Sequence, residues 1–358
     1  MCTKRNVLGI LCFFIHFIVE ITSFYVITSY ASLKIAAVLA FAYDLIAFVP
    51  QGLFGVIKDK GIKINFSLIG AILTALSVLL LHFNATAVLV VIIVAIGNAV
   101  VHINCAETTL RGSNGKMTPA ALFVAGGSFG VIIGKLLAQN GFPALAIIGI
   151  TLVIIPLTLI TARIFNPSES ESNLKSYSFS SKRFGAPTII LLAVIVVAVR
   201  AYMGYGIPTT WNKTFTQTIL LYVFMGTGKA LGGIFIDCIG IKKTALISTL
   251  GALPFLLFGE NVMTVSLIGV MVFSMTMAIT LAVIVSELPD FPSIAFGMTT
   301  IGLFAGTLPV FFFKISTIWI NCLIISLLTV VCVIILLMIC GESKNQPTTP
   351  FDYKKITK

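Results

Sequence analysis

The chain has 358 residues, 58% of them hydrophobic and 10% charged, with a formal net charge of +11. A soluble domain carries roughly 25% charged residues, so this composition excludes one. The basic excess does not indicate a nucleic-acid binder, because the lysines and arginines sort by side of a membrane. Seven cysteines are scattered without C-x-x-C spacing or a histidine partner, which reads as small apolar core residues rather than disulfides or metal ligands.

Twelve apolar segments follow one another, at about 7–29, 34–57, 64–82, 86–106, 118–138, 142–164, 186–206, 215–237, 244–259, 262–286, 293–313 and 316–340. Runs of ~20 apolar residues suit membrane-spanning helices, and they are too long for barrel strands of ~10 residues. The first begins just after Lys4 and Arg5. Glu20 interrupts it and no small-residue cleavage site follows before Tyr30, so it reads as a permanent span rather than a signal peptide. Glu20 lies midway along it, with His16 one turn earlier on the same face. Asp44 lies midway along the second segment. The fourth carries Asn98 and His102, again four apart. The fifth is rich in glycine (Gly126, Gly127, Gly130, Gly134) and has Lys135 toward its end.

Residues 165–185 are serine-rich and charged, and read as a flexible linker. The expected domains are a six-helix bundle over 1–164, this linker, a second six-helix bundle over 186–341, and a tail over 342–358. In the second half Arg200 precedes Tyr202 and Tyr205. Lys229 follows Gly226-Thr227-Gly228, which lacks the spacing and the Ser/Thr of a phosphate loop and follows no strand, so a nucleotide site is rejected. The small residues there suit close helix packing. Met271, Met275 and Met277 in the tenth segment read as packing.

One stretch occurs twice. Gly52-Leu53-Phe54-Gly55-Val56-Ile57-Lys58-Asp59-Lys60-Gly61 closes the second segment. Gly232-Gly233-Ile234-Phe235-Ile236-Asp237-Cys238-Ile239-Gly240-Ile241-Lys242-Lys243 closes the eighth. Gly55 and Gly233 are 178 residues apart, as are Asp59 and Asp237, which is close to half the chain. Each copy puts a carboxylate where a helix ends, turns through glycine, and leaves lysines outside the bilayer. This resembles the signature loop of the major facilitator superfamily, G-x-x-x-D-[RK]-x-G-[RK]-[RK]. Cys238 stands where the second copy should be basic, and Gly61 arrives one residue early in the first. The resemblance implies an all-α membrane protein with twelve transmembrane helices in two pseudo-symmetric six-helix bundles. It marks Gly55, Asp59, Lys60, Gly233, Asp237, Gly240 and Lys242 as a conformational motif.

With the N-terminus inside, seventeen lysines and arginines fall on the inner side, three (Lys34, Lys213, Lys314) outside and three (Lys135, Arg200, Lys229) within spans. That bias places both termini in the cytoplasm, and the expected location is a bacterial inner membrane. Ionisable residues inside spans are costly and mark function by default. Glu20, Asp44, His102, Arg200 and Lys229 are therefore the candidate substrate-binding and coupling residues, and the central charges Glu20, Asp44, Arg200 and Lys229 fall on the first, second, seventh and eighth segments, which resemble the family's cavity-facing set. A buried arginine common on the family's fourth helix is missing; the nearest, Arg111, is expected in a loop. Two roles stand open for Glu20 and Asp44: pairing with Arg200 or Lys229, or contact with substrate and protons.

The expected function is a secondary transporter of a small anionic or zwitterionic solute, with protons or Na+ as coupling ion, acting by alternating access as a monomer in the lipid bilayer. It has no nucleic-acid partner, no cofactor, no resident metal and no enzyme chemistry. The alternatives are drug efflux by proton antiport, which the glycines of the fifth segment resemble, and a receptor or scaffold that keeps the fold without turnover. The orientation has a direct check. Single cysteines at Ser168 and Asn345, in a cysteine-free background, are expected to resist an impermeant thiol reagent in intact cells. Labelling of either overturns the topology.

Overall fold

The computed structural model describes residues 4–61, 64–165, 177–207, 214–312 and 317–341. Lys63, two residues past the first motif copy, the linker residues 166–176, the Tyr205 side chain and the tail from 342 onward lie outside the described residues. Among the described residues twelve helical segments follow in order: α1 Lys4–Ser29, α2 Ala36–Asp59, α3 Phe66–His82, α4 Ala87–Arg111, α5 Thr118–Gln139, α6 Ala144–Ile164, α7 Ala186–Gly206, α8 Phe215–Ile239, α9 Ile241–Phe258, α10 Met263–Glu287, α11 Pro292–Phe311 and α12 Ile318–Ile339. Eleven are long and apolar enough to cross a membrane, and α3, at 17 residues, is the shorter apolar helix that completes the twelve. Every span is helical because a backbone in lipid must satisfy its own hydrogen bonds.

The interruptions have local causes. Proline has no N–H to donate and its ring collides with the carbonyl four residues back. Accordingly α2 breaks between Phe48 and Gln51 at Pro50, and α6 breaks after Leu152, four residues before Pro156. In α9 a π-helical turn, Ile247–Gly251, lies just before Pro254. Both motif copies turn through glycine in the left-handed region, Gly61 at φ +82° and Gly240 at φ +89°. A side chain is disfavoured there, which accounts for glycine at those two places. Arg111, expected in a loop, is instead the last residue of α4, because that helix runs about five residues further than its apolar run.

Glycine also sets the closest helix pairs. A methyl group at Gly126, Gly130 or Gly134 would run into the carbonyls of Phe13, Phe17 and Ile21, each step one turn along both helices. The glycines of α5 therefore form a groove in which the α1 backbone lies, and α1 packs more extensively on α5 than on any other helix. The second half repeats the device more sparsely, with Gly302 and Gly306 of α11 against Val194 and Ala198 of α7. Gly228 and Gly232 of α8 lie against Met271 and Met275 of α10, which confirms the close-packing role of that stretch.

The end of the expected flexible linker is held in place. Tyr177 and Phe179 are 5% and 7% exposed and belong to the main core cluster. Gly134→Ala is expected to lower thermal stability by about 1–3 kcal/mol through overpacking. Gly149→Ala on α6, where nothing lies within 4 Å, should be neutral or mildly stabilising by up to ~1 kcal/mol through helix propensity. Thermal denaturation of the detergent-solubilised proteins checks the contrast.

Candidate functional site

Two groups of polar residues are built by the packing: a buried cluster in the first half and a pair of carboxylate contacts that join the halves. In the first, α1 contributes His16, Glu20 and Ser23, and α4 contributes Asn98 and His102. All five are buried, the two histidines at 5% exposure and Glu20 at 6%. Each pair lies four residues apart on its own helix, so both pairs face the same seam between α1 and α4. His16 Nδ1 is 2.8 Å from the Phe123 carbonyl, and His102 Nδ1 is 2.9 Å from the Asn98 carbonyl. A carbonyl can only accept, so both rings are assigned the proton on Nδ1. Both Nε2 atoms then face Glu20 Oε1, each at 3.5 Å. Asn98 Nδ2 donates to the same oxygen at 3.0 Å and to Ser23 Oγ at 3.1 Å. Glu20 Oε2 is buried and has no hydrogen-bond partner among the described residues.

Aromatic rings enclose this cluster. The two imidazoles meet edge to face with centroids 4.3 Å apart, and Phe123 of α5 packs on His16 at 4.9 Å. Phe296 of α11 lies 6.3 Å from His102, so a residue of the second half covers a site made by the first. His16 has room only because position 127 is glycine; a Cβ there would strike the imidazole.

The second-half cations are placed differently. Arg200 is 8% exposed, and its Nε has no hydrogen-bond partner among the described residues. Lys229 is half-buried and lines a small cavity of about 10 Å³ with Ala120, Ala121 and Val124 of α5 and Met277, Ala278 and Leu281 of α10. Asp44 is half-buried on α2. Among the described residues no ion pair joins Glu20 or Asp44 to Arg200 or Lys229. Lys135 donates to Tyr222 of α8 at 2.9 Å and lies over the Phe24 ring.

The repeated motif makes the second polar group. Asp59, at the end of α2, accepts from the backbone N–H of Ser293 at 3.3 Å and Ile294 at 2.9 Å, the first turn of α11. Asp237, near the end of α8, accepts from Met117 N at 3.0 Å, Thr118 N at 2.9 Å and Thr118 Oγ1 at 2.6 Å, the start of α5. Each carboxylate thus caps a helix of the opposite half. The four leading N–H groups of a helix lack intrahelical partners and carry the positive end of its dipole, so both contacts are favourable twice over. Around Asp59 a charged network adds Arg111 at 3.5 Å, with Glu107 bridging Arg111 and Lys58 at 3.3 Å each.

On the same face, Tyr177 donates to the Leu110 carbonyl at 2.9 Å and hydrogen-bonds Ser113, both of the first half. Burial pushes its phenol above the usual range. Two residues on, Phe179 N donates to Ser286 Oγ at 2.9 Å, and Ser181 N donates to the Ile339 carbonyl at 2.8 Å, both of the second half. Lys182 pairs with Glu287 at 2.8 Å. The composition of the linker, read as polar and mobile, concealed this because the anchoring comes from single residues.

No protein-family model and no curated protein sequence matches the chain. Solved structures do. The chain is similar to the E. coli fucose:proton symporter FucP, at 17% identity over 93% of this chain and 97% of that one, with a TM-score of 0.62. FucP in an outward conformation superposes with a TM-score of 0.61 over 93% and 99% of the two chains, again at 17% identity. The human organic anion transporter MFSD10 gives 0.64 over 94% and 100%, at 13% identity. The fold is therefore that of the major facilitator superfamily, as the repeated loop implied, and the chain is an integral, multi-pass membrane protein.

If the capping carboxylates hold the halves together, Asp59→Asn should loosen the α2–α11 contact. A cysteine replacing buried Ser293, in a cysteine-free background, is expected to react with a small thiol reagent at least several-fold faster when Asp59 is neutralised. Equal rates would show that the carboxylate does not hold this contact.

Proposed function

We propose that the chain is a secondary active transporter of a small anionic or zwitterionic solute, working as a monomer by alternating access, with both termini in the cytoplasm of a bacterial inner membrane. The observation that carries this reading is the separation of charge. Arg200 and Lys229 lie within spans of the second half, away from any carboxylate partner among the described residues, while Glu20 and its histidines occupy the first. A lone charge within a span costs about 2.5–3.5 kcal/mol on insertion scales. A bound anion between the halves offsets that cost, and the offset depends on conformation, because the two halves supply different signs.

The motif contacts supply the switch. Asp59 and Asp237 stabilise whichever state brings α2 to α11 and α8 to α5 at this face, and separating the halves here breaks at least four hydrogen bonds to backbone N–H. Substrate and coupling ion then shift the balance by their differential affinity for the two states. Glu20, His102 and Asp44 are the protonatable candidates. Structural likeness to a fucose:proton symporter and an organic anion transporter agrees with proton coupling and an anionic solute.

The test is uptake into proteoliposomes from a panel of small organic anions, preselected by thermal shift, under an imposed proton or Na+ gradient. Lys229→Gln and Arg200→Gln should each raise KM about tenfold or more at unchanged melting temperature. Asp44→Asn should alter the pH dependence instead. A folded, correctly oriented protein that moves none of these solutes under either gradient would overturn the reading in favour of a receptor. Strong Asp44–Lys229 coupling in stability, with none in affinity, would leave these charges as structure.

A further inference from the structure

The cluster on α1 and α4 has a feature that proton carrying alone does not require: three ligand-type atoms converge on one point. His16 Nε2, His102 Nε2 and a Glu20 carboxylate oxygen all lie within 4.8 Å of one another, and all three residues are more than nine-tenths buried. With both Nδ1–H groups committed to backbone carbonyls, it is Nε2 of each ring that faces the carboxylate, with its lone pair wherever that ring is neutral. Three acceptors facing one another out of water are mutually repulsive unless a positive group sits between them.

We propose that His16, Glu20 and His102 form a binding site for a divalent transition-metal cation of the Zn2+ class. Two of the three separations fit, and the third, between the two imidazole nitrogens, is within 4.8 Å. Bonds of ~2.0–2.1 Å in tetrahedral geometry place ligand atoms about 3.3–3.4 Å apart, and both imidazole nitrogens stand 3.5 Å from Glu20 Oε1. The donor set fits as well. Two imidazoles and a carboxylate suit zinc, cobalt, nickel or iron, whereas Mg2+ and Ca2+ prefer oxygen throughout. Three protein ligands leave a position open, into which Glu20 Oε2, buried and unpartnered, or an external ligand can enter.

The surroundings do what outer-shell partners do at metal-binding histidines. The Phe123 and Asn98 carbonyls fix the tautomer of each ring, and the Asn98 amide orients the carboxylate. Rigid helices carry every ligand, and the glycine groove of α5 fixes α1 at the needed depth, since Glu20 Cβ lies directly over Gly130. One turn along the same two helices, Cys12 and Cys105 are buried and close enough to interact. Thiols also bind this class of ion, but they do not belong to the converging group. Phe296 seals the site from the second half, so parting of the halves would open it.

This inference stands apart from the transport reading, because it is read at equilibrium without any solute. Tag-free full-length protein in lipid nanodiscs is stripped with a chelator and titrated with ZnCl2 by calorimetry, and separately with CoCl2 by visible absorption. One Zn2+ per chain is expected, with a raised melting temperature that MgCl2 and CaCl2 do not reproduce. His102→Gln and Glu20→Gln should weaken binding more than about 100-fold, and Asn98→Ala about 10–100-fold. Bound Co2+ should show the intense d–d bands of low coordination without a thiolate charge-transfer band. Absence of saturable one-per-chain binding overturns the proposal, as does wild-type affinity in the two ligand variants. A thiolate band would move the ion to Cys12 and Cys105 and overturn it equally. Should a variant fail to fold, the wild-type Co2+ spectrum decides, and an aquo-like spectrum counts against the site.

Discussion

Two carboxylates, each set on the open end of a helix in the opposite half, are the contacts on which the closed face of this molecule depends. The spacing that repeats in the sequence, glycine followed four residues later by aspartate, is the geometry of that contact. Gly55 lies so close to α11 that a Cβ would meet the Ser293 carbonyl, and one turn further on Asp59 reaches the Ser293 and Ile294 amides. Gly233 stands in the same way against Met117, and Asp237 takes the amides of Met117 and Thr118. The glycine lets the backbones approach and the carboxylate uses the approach. Neither residue achieves this alone, which is a physical reason for the pair to occur together and twice.

The two copies differ in the partners around them. Asp59 sits in a network of Arg111, Glu107 and Lys58, so that side of the interface has charge beyond the helix dipole. Asp237 has the Thr118 hydroxyl in addition to its two amides. Cys238, which replaces the usual basic residue, is exposed and free. The linker adds contacts on the same face. Tyr177 binds the first half and Phe179, Ser181 and Lys182 bind the second, so the chain between the bundles acts as a strap across both. Such a strap adds to the state in which this face is closed, and any motion that parts the bundles must release one of its ends.

Within the membrane the polar residues follow one constraint. A buried charge needs a partner, and helix packing decides which partner it finds. Glu20 finds two imidazoles and an amide because the α5 glycines bring α1 into a groove beside α4. Lys229 is placed among apolar neighbours and Met277 instead, and the Arg200 Nε is buried with no hydrogen-bond partner among the described residues. The first half is therefore organised around an acidic and imidazole-rich pocket, and the second around cations. The asymmetry of charge is laid over two halves that each contribute six helical segments among the described residues.

Much of this was legible without coordinates. The length of the apolar runs determined twelve helices, since a backbone in lipid has no other way to satisfy its hydrogen bonds. The duplicated Gly-Asp-Gly-Lys pattern pointed to the two-bundle fold through its resemblance to the signature loop of the superfamily, and backbone geometry accounts for the glycines at the turns themselves. The sequence also singled out His16 and Glu20 on one helix, and Asn98 and His102 on another, as matched pairs at one-turn spacing. It could not join them, because they are 78 and more residues apart and the seam where they meet depends on how α1 seats against α5 and α4. The same limit hid the targets of Asp59 and Asp237. A backbone amide at a helix start has no side-chain signature, so Ser293, Ile294, Met117 and Thr118 became partners only once the halves were packed. Salt bridges between the halves were an open possibility from charge alone. Among the described residues no ion pair joins Glu20 or Asp44 to Arg200 or Lys229; the Glu20 carboxylate lies within 3.5 Å of two imidazoles of its own half, and Lys229 stands at a cavity wall between α5 and α10. Sequence spacing carries contacts along one helix, and only the packing of helices against one another chooses among the contacts between them.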